Sequence, residues 1–276
     1  MCAKRVIARL GGVAIRVRPD SMSTLVEHVK RCVIGNGPRF PTDNYKGGDM
    51  SAACQWDCYR RATMLEPMAE AIFRDRIPGD FLEAGVFKGG IAIAMAAMML
   101  AEEPAGSRTM WLADSFDGLP NVSTPVSADV DAIVRKENRR ARWRRGLFNG
   151  SQTKVTSYLQ KCLRDPAGKP LRGRHRVRLL PGFFEDSLPG PVRALALLRV
   201  DGDLYTSITS TLWHLWPLLS DGGFVVFDDW KFEQSKRAIL DFREYMDIDT
   251  PILFANETLD PMAYWRKAPR RANQLP

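Results

Sequence analysis

Short apolar segments and longer segments of helical period alternate along the chain from about residue 50 onwards. The longer ones repeat apolar residues every three to four positions, as Leu65, Met68, Ala69 and Ile72 do, which indicates helices with one buried face. The short ones are rich in Val, Leu and Phe and have the length of buried strands. We predict strands at 81–86, 109–113, 177–180, 194–200 and 223–227.

Helices are predicted between and around these strands, at 50–76, 90–103, 129–145, 151–164, 207–219 and 233–247. Strands that alternate with helices of this length form βαβ units. The predicted fold class is therefore α/β, a mostly parallel sheet with helices on both faces. In an open sheet of this kind, ligands bind beyond the carboxyl ends of the strands.

The first 49 residues do not follow this alternation, and we interpret them as an N-terminal appendage to a domain spanning 50–276. A hairpin is predicted at 6–17, turning at Gly11 and Gly12, and a helix at 23–32. A loop rich in Gly, Pro and Asn follows and leads into the domain.

Composition narrows the class of protein. Of the 276 residues, 45% are hydrophobic and 26% are charged, which is typical of a globular chain with a packed core. The best apolar run, 91–101, is shorter than the roughly 18 residues that cross a bilayer, and no secretory signal is evident. Five cysteines, an odd and scattered set, favour reduced thiols. We expect a cytoplasmic protein with no membrane partner.

The net charge of +8 raises nucleic acid as a partner. The excess of basic residues is concentrated in three places, 135–145, 164–178 and the tail from residue 266. Outside these segments the chain is not basic, so the net positive charge comes from these three segments.

The first strand of the domain leads into the sequence FLEAGVFKGG. Gly85 allows a ligand to approach the backbone, and Gly89 and Gly90 lead into a helix whose free N–H groups can receive an anion. The GxxxGG spacing differs from the GxGxxG of dinucleotide folds. Glu83 suits an ammonium group, so an amino acid moiety fits both features; a plain strand-to-helix turn is the alternative.

Acidic residues follow three of the other predicted strands. Asp114 stands where α/β nucleotide folds bind two ribose hydroxyls, although a turn or helix cap has the same residue type. Asp201 and Asp203 follow the fourth strand, and Asp228 and Asp229 follow the fifth. If those strands are neighbours, the carboxylates converge and need a proton or a hard cation such as Mg²⁺. Solvated loop ends are the alternative.

Four segments resemble the macrocin-type sugar O-methyltransferases: FLEAGVFKGG, LADSFDGLP, LLPGFFEDSLP and LALLRVDGDLYTSITSTLWHLWPLLSDGGFVVFDDW. This family includes enzymes of macrolide and aminocoumarin antibiotic pathways, and the resemblance covers about residues 50–245. It implies a Rossmann-like class I fold that uses S-adenosylmethionine and Mg²⁺. The implied reaction is methylation of a sugar hydroxyl on a glycosylated small molecule.

The resemblance also implies roles for individual residues. Those at the ends of three strands would bind the cofactor: Glu83, Gly85, Phe87 and Gly89 at its methionine end, Asp114 and Ser115 at the ribose, and Gly182 and Phe183 at the adenine. The metal would be bound by Asp201, Asp228 and Asp229, with Asp203 orienting the loop. In the related catechol-type methyltransferases, a lysine serves as the general base at the position where this chain has Leu204. The base that the family resemblance implies here is therefore Asp201.

Residues 116–156 correspond to an insertion that closes over the acceptor in family members. Here Arg135, Arg139 and Arg142 form a basic face at helical spacing, with Arg144 and Arg145 close by. One interpretation is a solvated face, and the other is an acceptor with a phosphate or carboxylate group.

The competing function is a methyltransferase-fold protein that binds or methylates RNA. The acidic cluster would repel phosphates and no RNA-binding motif accompanies the arginines, so nucleic acid is disfavoured. The sequence leaves the oligomeric state open, a homo-oligomer included.

Overall fold

The computed structural model describes residues 8–10, 13–15, 22–36, 50–121, 127–141, 143–255 and 261–269. Its strands are β1 (Ala8–Leu10), β2 (Val13–Ile15), β3 (Asp80–Ala84), β4 (Met110–Asp114), β5 (Val177–Pro181), β6 (Leu195–Val200), β7 (Leu219–Phe227), β8 (Leu253–Phe254) and β9 (Ala263–Arg266). Its helices are α1 (Met22–Asn36), α2 (Met50–Arg74), α3 (Gly90–Glu102), α4 (Ala128–Ala141), α5 (Gln152–Cys162), α6 (Phe184–Ser187), α7 (Tyr205–Leu215) and α8 (Glu233–Tyr245).

Seven strands form one sheet in the order β5-β4-β3-β6-β7-β9-β8. Strands β3 to β7 are parallel to one another, which confirms the predicted α/β architecture. β9 is antiparallel to β7 and β8 is antiparallel to β9. This edge was not predicted, because strands of two and four residues leave too little periodic pattern. β1 and β2 form the predicted hairpin.

The central strands are apolar on both faces because helices cover both. Phe81 of β3 and Leu197 of β6 belong to the core beneath α2 and α3. Leu82 and Leu198, one residue further along each strand, belong to the core beneath α7 and α8. Side chains two positions apart share a face of a strand. Residues 83 and 199 are therefore expected on the α2 side of the sheet.

Helix α3 is buried on all sides. Every residue from Ile91 to Leu100 is buried, and both α1 and α2 pack against this helix. Val26 and Val29 of α1, from the segment interpreted as an appendage, are fully buried in the same core. Helix α1 is thus packed into the core. None of the helices in the described part of the chain is long and apolar enough to cross a membrane.

The insertion is attached to the rest of the fold through α4, which ends at Ala141, before the predicted end at 145. The carboxylate of Glu137 accepts hydrogen bonds from the N–H groups of Glu233 (3.0 Å) and Gln234 (2.9 Å), the first two residues of α8. N–H groups in the first turn lack partners within their own helix, and the helix dipole favours a negative charge there. Glu137 therefore caps α8 and holds the insertion beside the end of β7.

Substitution of Glu137 tests this capping role. We expect Glu137→Ala to lower the free energy of unfolding by about 1–2 kcal/mol, because α8 loses two acceptors and a favourable charge. Lys136→Ala, an exposed position on the same helix, is the matched control and should stay within about 0.5 kcal/mol of the unaltered protein. Chemical denaturation followed by circular dichroism measures both. Equal losses in the two variants would contradict the capping role.

Candidate active site

The predicted site residues converge at one edge of the sheet, because the strands that precede them are parallel. Gly85 follows β3, Ser115 follows β4, Asp201 follows β6, and Asp228 and Asp229 follow β7. β6 and β7 are adjacent and paired in parallel, as the sequence analysis required for the acidic residues to meet.

A cavity of about 320 Å³ lies between these strand ends. The predicted site residues that line it are Gly85, Phe87, Asp114, Ser115, Phe183, Asp201 and Asp229. Asp203, expected to orient the loop, and Phe184, beside the expected adenine-binding residues, also line it; Lys231, Phe232 and Phe148 are further lining residues that were not predicted. The remaining predicted residues, Glu83, Gly89, Gly182 and Asp228, lie outside this lining set. The cavity thus combines carboxylates, aromatic rings and a glycine backbone.

Asp114 orders the turn that follows β3. Its Oδ2 accepts hydrogen bonds from the N–H groups of Val86 (2.7 Å) and Phe87 (2.8 Å), and its Oδ1 accepts one from Phe116 (2.7 Å). Burial raises the pKa of this carboxyl group, and the three N–H donors oppose the rise. The sequence predicts that this carboxylate binds ribose hydroxyls; in the structure, most of its acceptor capacity is directed at the backbone of the turn.

Two glycines shape the same turn. Gly85 has φ of +92°, and a Cβ placed there would lie 1.7 Å from the carbonyl oxygen of Asp201. A side chain at this position would therefore displace the end of β6 that holds Asp201. Gly89, with φ of +85°, is the N-cap of α3. The N–H of Gly182 donates to the carbonyl oxygen of Asp114 (2.9 Å), which joins the Gly182–Phe183 segment to the end of β4.

The predicted metal ligands form a compact cluster. Asp201, Asp228 and Asp229 each place one carboxylate oxygen within 4.8 Å of the others. Asp228 and Asp229 are buried, and Asp201 is partly exposed to the cavity. Oδ2 of Asp229 also accepts the N–H of Asp203 (2.8 Å), which fixes the loop after β6. An all-oxygen set of this kind fits a hard divalent cation such as Mg²⁺.

The crowded carboxylates differ in acidity. Burial and neighbouring negative charge raise the pKa of Asp203 and of Asp229 well above the usual range. Burial and the charge of Asp228 also raise the pKa of Asp201. Burial favours a higher pKa for Asp228 as well, but the guanidinium groups of Arg199 and Arg61 outweigh it and lower that pKa. The cluster holds more carboxyl groups than guanidinium groups, and a bound divalent cation would favour their ionised forms.

Arg199 of β6 stands at the centre of these charges and was missed by the sequence analysis. It is 1% exposed, and its Nη1 is ion-paired with Glu83. Its Nη2 lies 3.0 Å from Oδ2 of Asp201 and 2.7 Å from Oδ1 of Asp228. Arg61 of α2 forms a second ion pair with Asp228. The sequence did contain a signal for Arg199, because it is a single charged residue within the otherwise apolar strand LALLRV.

Glu83 is buried beside this guanidinium. Burial raises the pKa of Glu83 to about 8, against the attraction of Arg199. Its Oε2 makes no hydrogen bond to any described residue. One oxygen of this buried carboxylate therefore has unused acceptor capacity, two residues before Gly85 on the cavity wall.

The insertion packs over the loop that follows β6. Leu119, Trp143 and Leu204 form a small buried cluster, and the ring of Trp143 lies 4.8 Å from that of Phe232. Leu204, at the position of the lysine in catechol-type enzymes, is 2% exposed and has a packing role. Phe232 lines the cavity. The insertion is thus joined to the cavity wall through aromatic packing.

The described arginines of the insertion do not form part of the cavity wall. Among the described residues, Lys231 is the cationic side chain that lines the cavity. Arg135 is exposed and pairs with Asp131 of its own helix at 2.7 Å, and Arg139 and Arg144 are also exposed. Arg142 lies outside the described residues. Any contact between Arg135, Arg139 or Arg144 and an acceptor would take place outside the cavity.

Comparison with known proteins identifies the class to which this fold belongs. The structure resembles the O-methyltransferase NovP over 90% of this chain and 100% of that one, with a TM-score of 0.68 and 27% sequence identity. The fold is that of the class I S-adenosylmethionine-dependent methyltransferases, and the protein is a methyltransferase.

Residues 47–267 match the family described as macrocin O-methyltransferase (TylF), and the chain belongs to that family. It is 35% identical over 218 residues to the 8-demethyl-8-(2,3-dimethoxy-alpha-L-rhamnosyl)-tetracenomycin-C 4'-O-methyltransferase of Streptomyces olivaceus, covering 78% of this chain and 76% of the relative. It is 32% identical over 213 residues to the mycinamicin III 3''-O-methyltransferase of Micromonospora griseorubida, covering 76% of each. The family and fold support S-adenosylmethionine as the cofactor.

The geometry of Asp114 gives a prediction that does not depend on any ligand. We expect Asp114→Asn to lower the free energy of unfolding by about 1–3 kcal/mol, because an amide NH₂ would then face backbone N–H donors. Asp117→Asn, an exposed position on the same loop, is the control and should change stability by less than about 0.5 kcal/mol. Denaturant titration measures both. Wild-type stability of Asp114→Asn would show that the three N–H contacts do not hold the turn.

Proposed function

We propose that the protein transfers a methyl group from S-adenosylmethionine to a sugar hydroxyl of a glycosylated small molecule, in a Mg²⁺-dependent reaction of natural-product biosynthesis in the cytoplasm. The observation that carries this proposal is the cluster of Asp201, Asp228 and Asp229, two of which line the cavity. Three carboxylate oxygens that converge at this edge of a methyltransferase sheet suit a hard divalent cation that also binds hydroxyl oxygens.

The cofactor would occupy the part of the cavity between β3, β4 and β5. Gly85, Phe87 and the start of α3 would receive its methionine end, and Glu83 would face the ammonium group with its free oxygen. Asp114 and Ser115 would stand at the ribose. The rings of Phe183 and Phe184 line the cavity and offer apolar faces to the adenine.

Methyl transfer is a displacement in which the bond from sulfur to the methyl carbon breaks as the bond from the sugar oxygen to that carbon forms. The chain must align the three atoms, and alignment supplies a large part of the rate. Mg²⁺, when bound by Asp201, Asp228 and Asp229, would stabilise the negative charge that develops on the sugar oxygen. The hydroxyl proton leaves to a carboxylate, and S-adenosylhomocysteine departs.

Asp201 is the proposed base, because its carboxylate lines the cavity at the end of β6 and no lysine stands at position 204. Asp203 lines the same cavity but is outside the three-carboxylate cluster. Its backbone is held at both ends, by Asp229 at the N–H and by the hydroxyl of Ser235 at the carbonyl (2.6 Å). Separate substitution of the two carboxylates distinguishes a base from a residue that orients the loop.

One relative is named for O-methylation of a rhamnosyl-tetracenomycin and the other for O-methylation of mycinamicin III, and we extend glycosylated small molecules as a substrate class to this chain. We also propose that the exposed arginines of the insertion favour an acceptor with an anionic group outside the cavity. Among the described residues, Lys231 is the cation that lines the cavity itself.

Asp201→Asn tests the proposed chemistry. We expect turnover to fall by about 10²-fold or more, because the base and one metal ligand are lost, while S-adenosylhomocysteine still binds within about threefold. Asp203→Asn should retain a larger fraction of the wild-type activity than Asp201→Asn does. Asp221→Asn, an exposed position on β7, is the control. Mass spectrometry of a glycoside library gives turnover, and calorimetry gives binding. Full activity of Asp201→Asn would refute its role.

The same assay separates this function from action on RNA. Methylation of a glycoside that stops on chelation and resumes with added Mg²⁺ supports the proposal. Salt-dependent retention of RNA with no methylation of any glycoside would instead favour the nucleic-acid function.

A further inference from the structure

The buried side chain of Arg199 lies between the two halves of the candidate site. β3 and β6 pair in parallel with Glu83 opposite Arg199, and β6 and β7 pair with Arg199 opposite Val226. Asp201 and Asp228 come two residues after Arg199 and Val226, so the strand period places them on the same face of the sheet. One cross-strand register therefore brings three carboxylates around one guanidinium.

The two nitrogens at the end of this guanidinium are used differently. Nη1 pairs with Glu83, on the side where the methionine end of the cofactor is proposed. Nη2 pairs with Asp228 at 2.7 Å and Asp201 at 3.0 Å, on the side of the proposed metal. The planar fork of arginine can serve both sides at once, whereas the point charge of a lysine cannot.

Like charges as close as these carboxylates repel, and without a buried cation they would adopt other rotamers. Arg199 is 1% exposed and does not line the cavity, so its direct contacts are with neighbouring side chains within the protein. Partners that orient a metal ligand from behind commonly change metal affinity by about 10–100-fold when removed.

We infer that Arg199 is a positioning residue shared by the cofactor and metal sites, which touches neither ligand and sets the affinity for both. This inference rests on the proposed function. It differs from a purely structural role, because a structural arginine would affect stability without lowering two separate affinities.

The test compares three variants by calorimetric titration with S-adenosylhomocysteine and, separately, with Mn²⁺ as a substitute for Mg²⁺. Arg199→Met should weaken both by about tenfold or more, because Glu83 and the aspartates lose the group that orients them. Arg199→Lys keeps the charge but not the fork, so we expect at most one of the affinities to return to the wild-type value. If Arg199→Met does not fold, the two affinities of Arg199→Lys still test the inference.

Arg176→Met is the matched control. Arg176 is also buried, but its guanidinium donates to the backbone carbonyl groups of Arg108 (2.7 Å) and Glu103, at the amino-terminal side of β4. Its loss should lower stability and leave both affinities within about twofold.

Wild-type affinity for both ligands in folded Arg199→Met, a loss confined to one ligand, or full recovery of both in Arg199→Lys would overturn the role of Arg199. Failure of the unaltered protein to bind either ligand would overturn the proposed function as well. The two failures are thus distinguishable.

Discussion

Buried ion pairs around Arg199 are the constraint on which this site depends. A guanidinium inside the sheet is tolerated only when carboxylates surround it, and those carboxylates are tolerated only because of the guanidinium. Arg199 pairs with Glu83, Asp201 and Asp228, and Arg61 adds a second cation from helix α2. The ends of β3, β6 and β7 are thereby held together by charge as well as by backbone hydrogen bonds, at the edge where the cavity opens.

The same arrangement separates the groups that can meet a ligand from those that support them. Asp201 and Asp229 reach the cavity, while Glu83 and Asp228 are buried next to arginine. Glu137 holds the insertion against the first turn of α8, and Trp143 packs against Phe232, which lines the cavity. One side of the cavity is therefore built on contacts between the insertion and the segment after β7, and the other side is built on the sheet.

The sequence was sufficient for the parallel strands and for the meeting of Asp201 with Asp228 and Asp229, because β6 and β7 are consecutive and their ends coincide. It was insufficient for the partnership of Glu83 with Arg199, because β3 and β6 are far apart in the chain and their register depends on the whole sheet. The inward contacts of Asp114 were missed for a related reason, since an acidic residue after a strand has the same pattern whether it faces a ligand or a turn. The antiparallel edge strands were too short to leave a pattern.

The most direct measurement is a crystal structure of the protein with S-adenosylhomocysteine and Mn²⁺, in which anomalous scattering locates the metal. We expect one anomalous peak per chain, coordinated by carboxylate oxygens of Asp201, Asp228 and Asp229, with the ligand's ammonium group facing Glu83. A structure with the ligand bound and no metal peak at these three aspartates, together with methyl transfer that persists in excess chelator, would contradict the role assigned to the cluster.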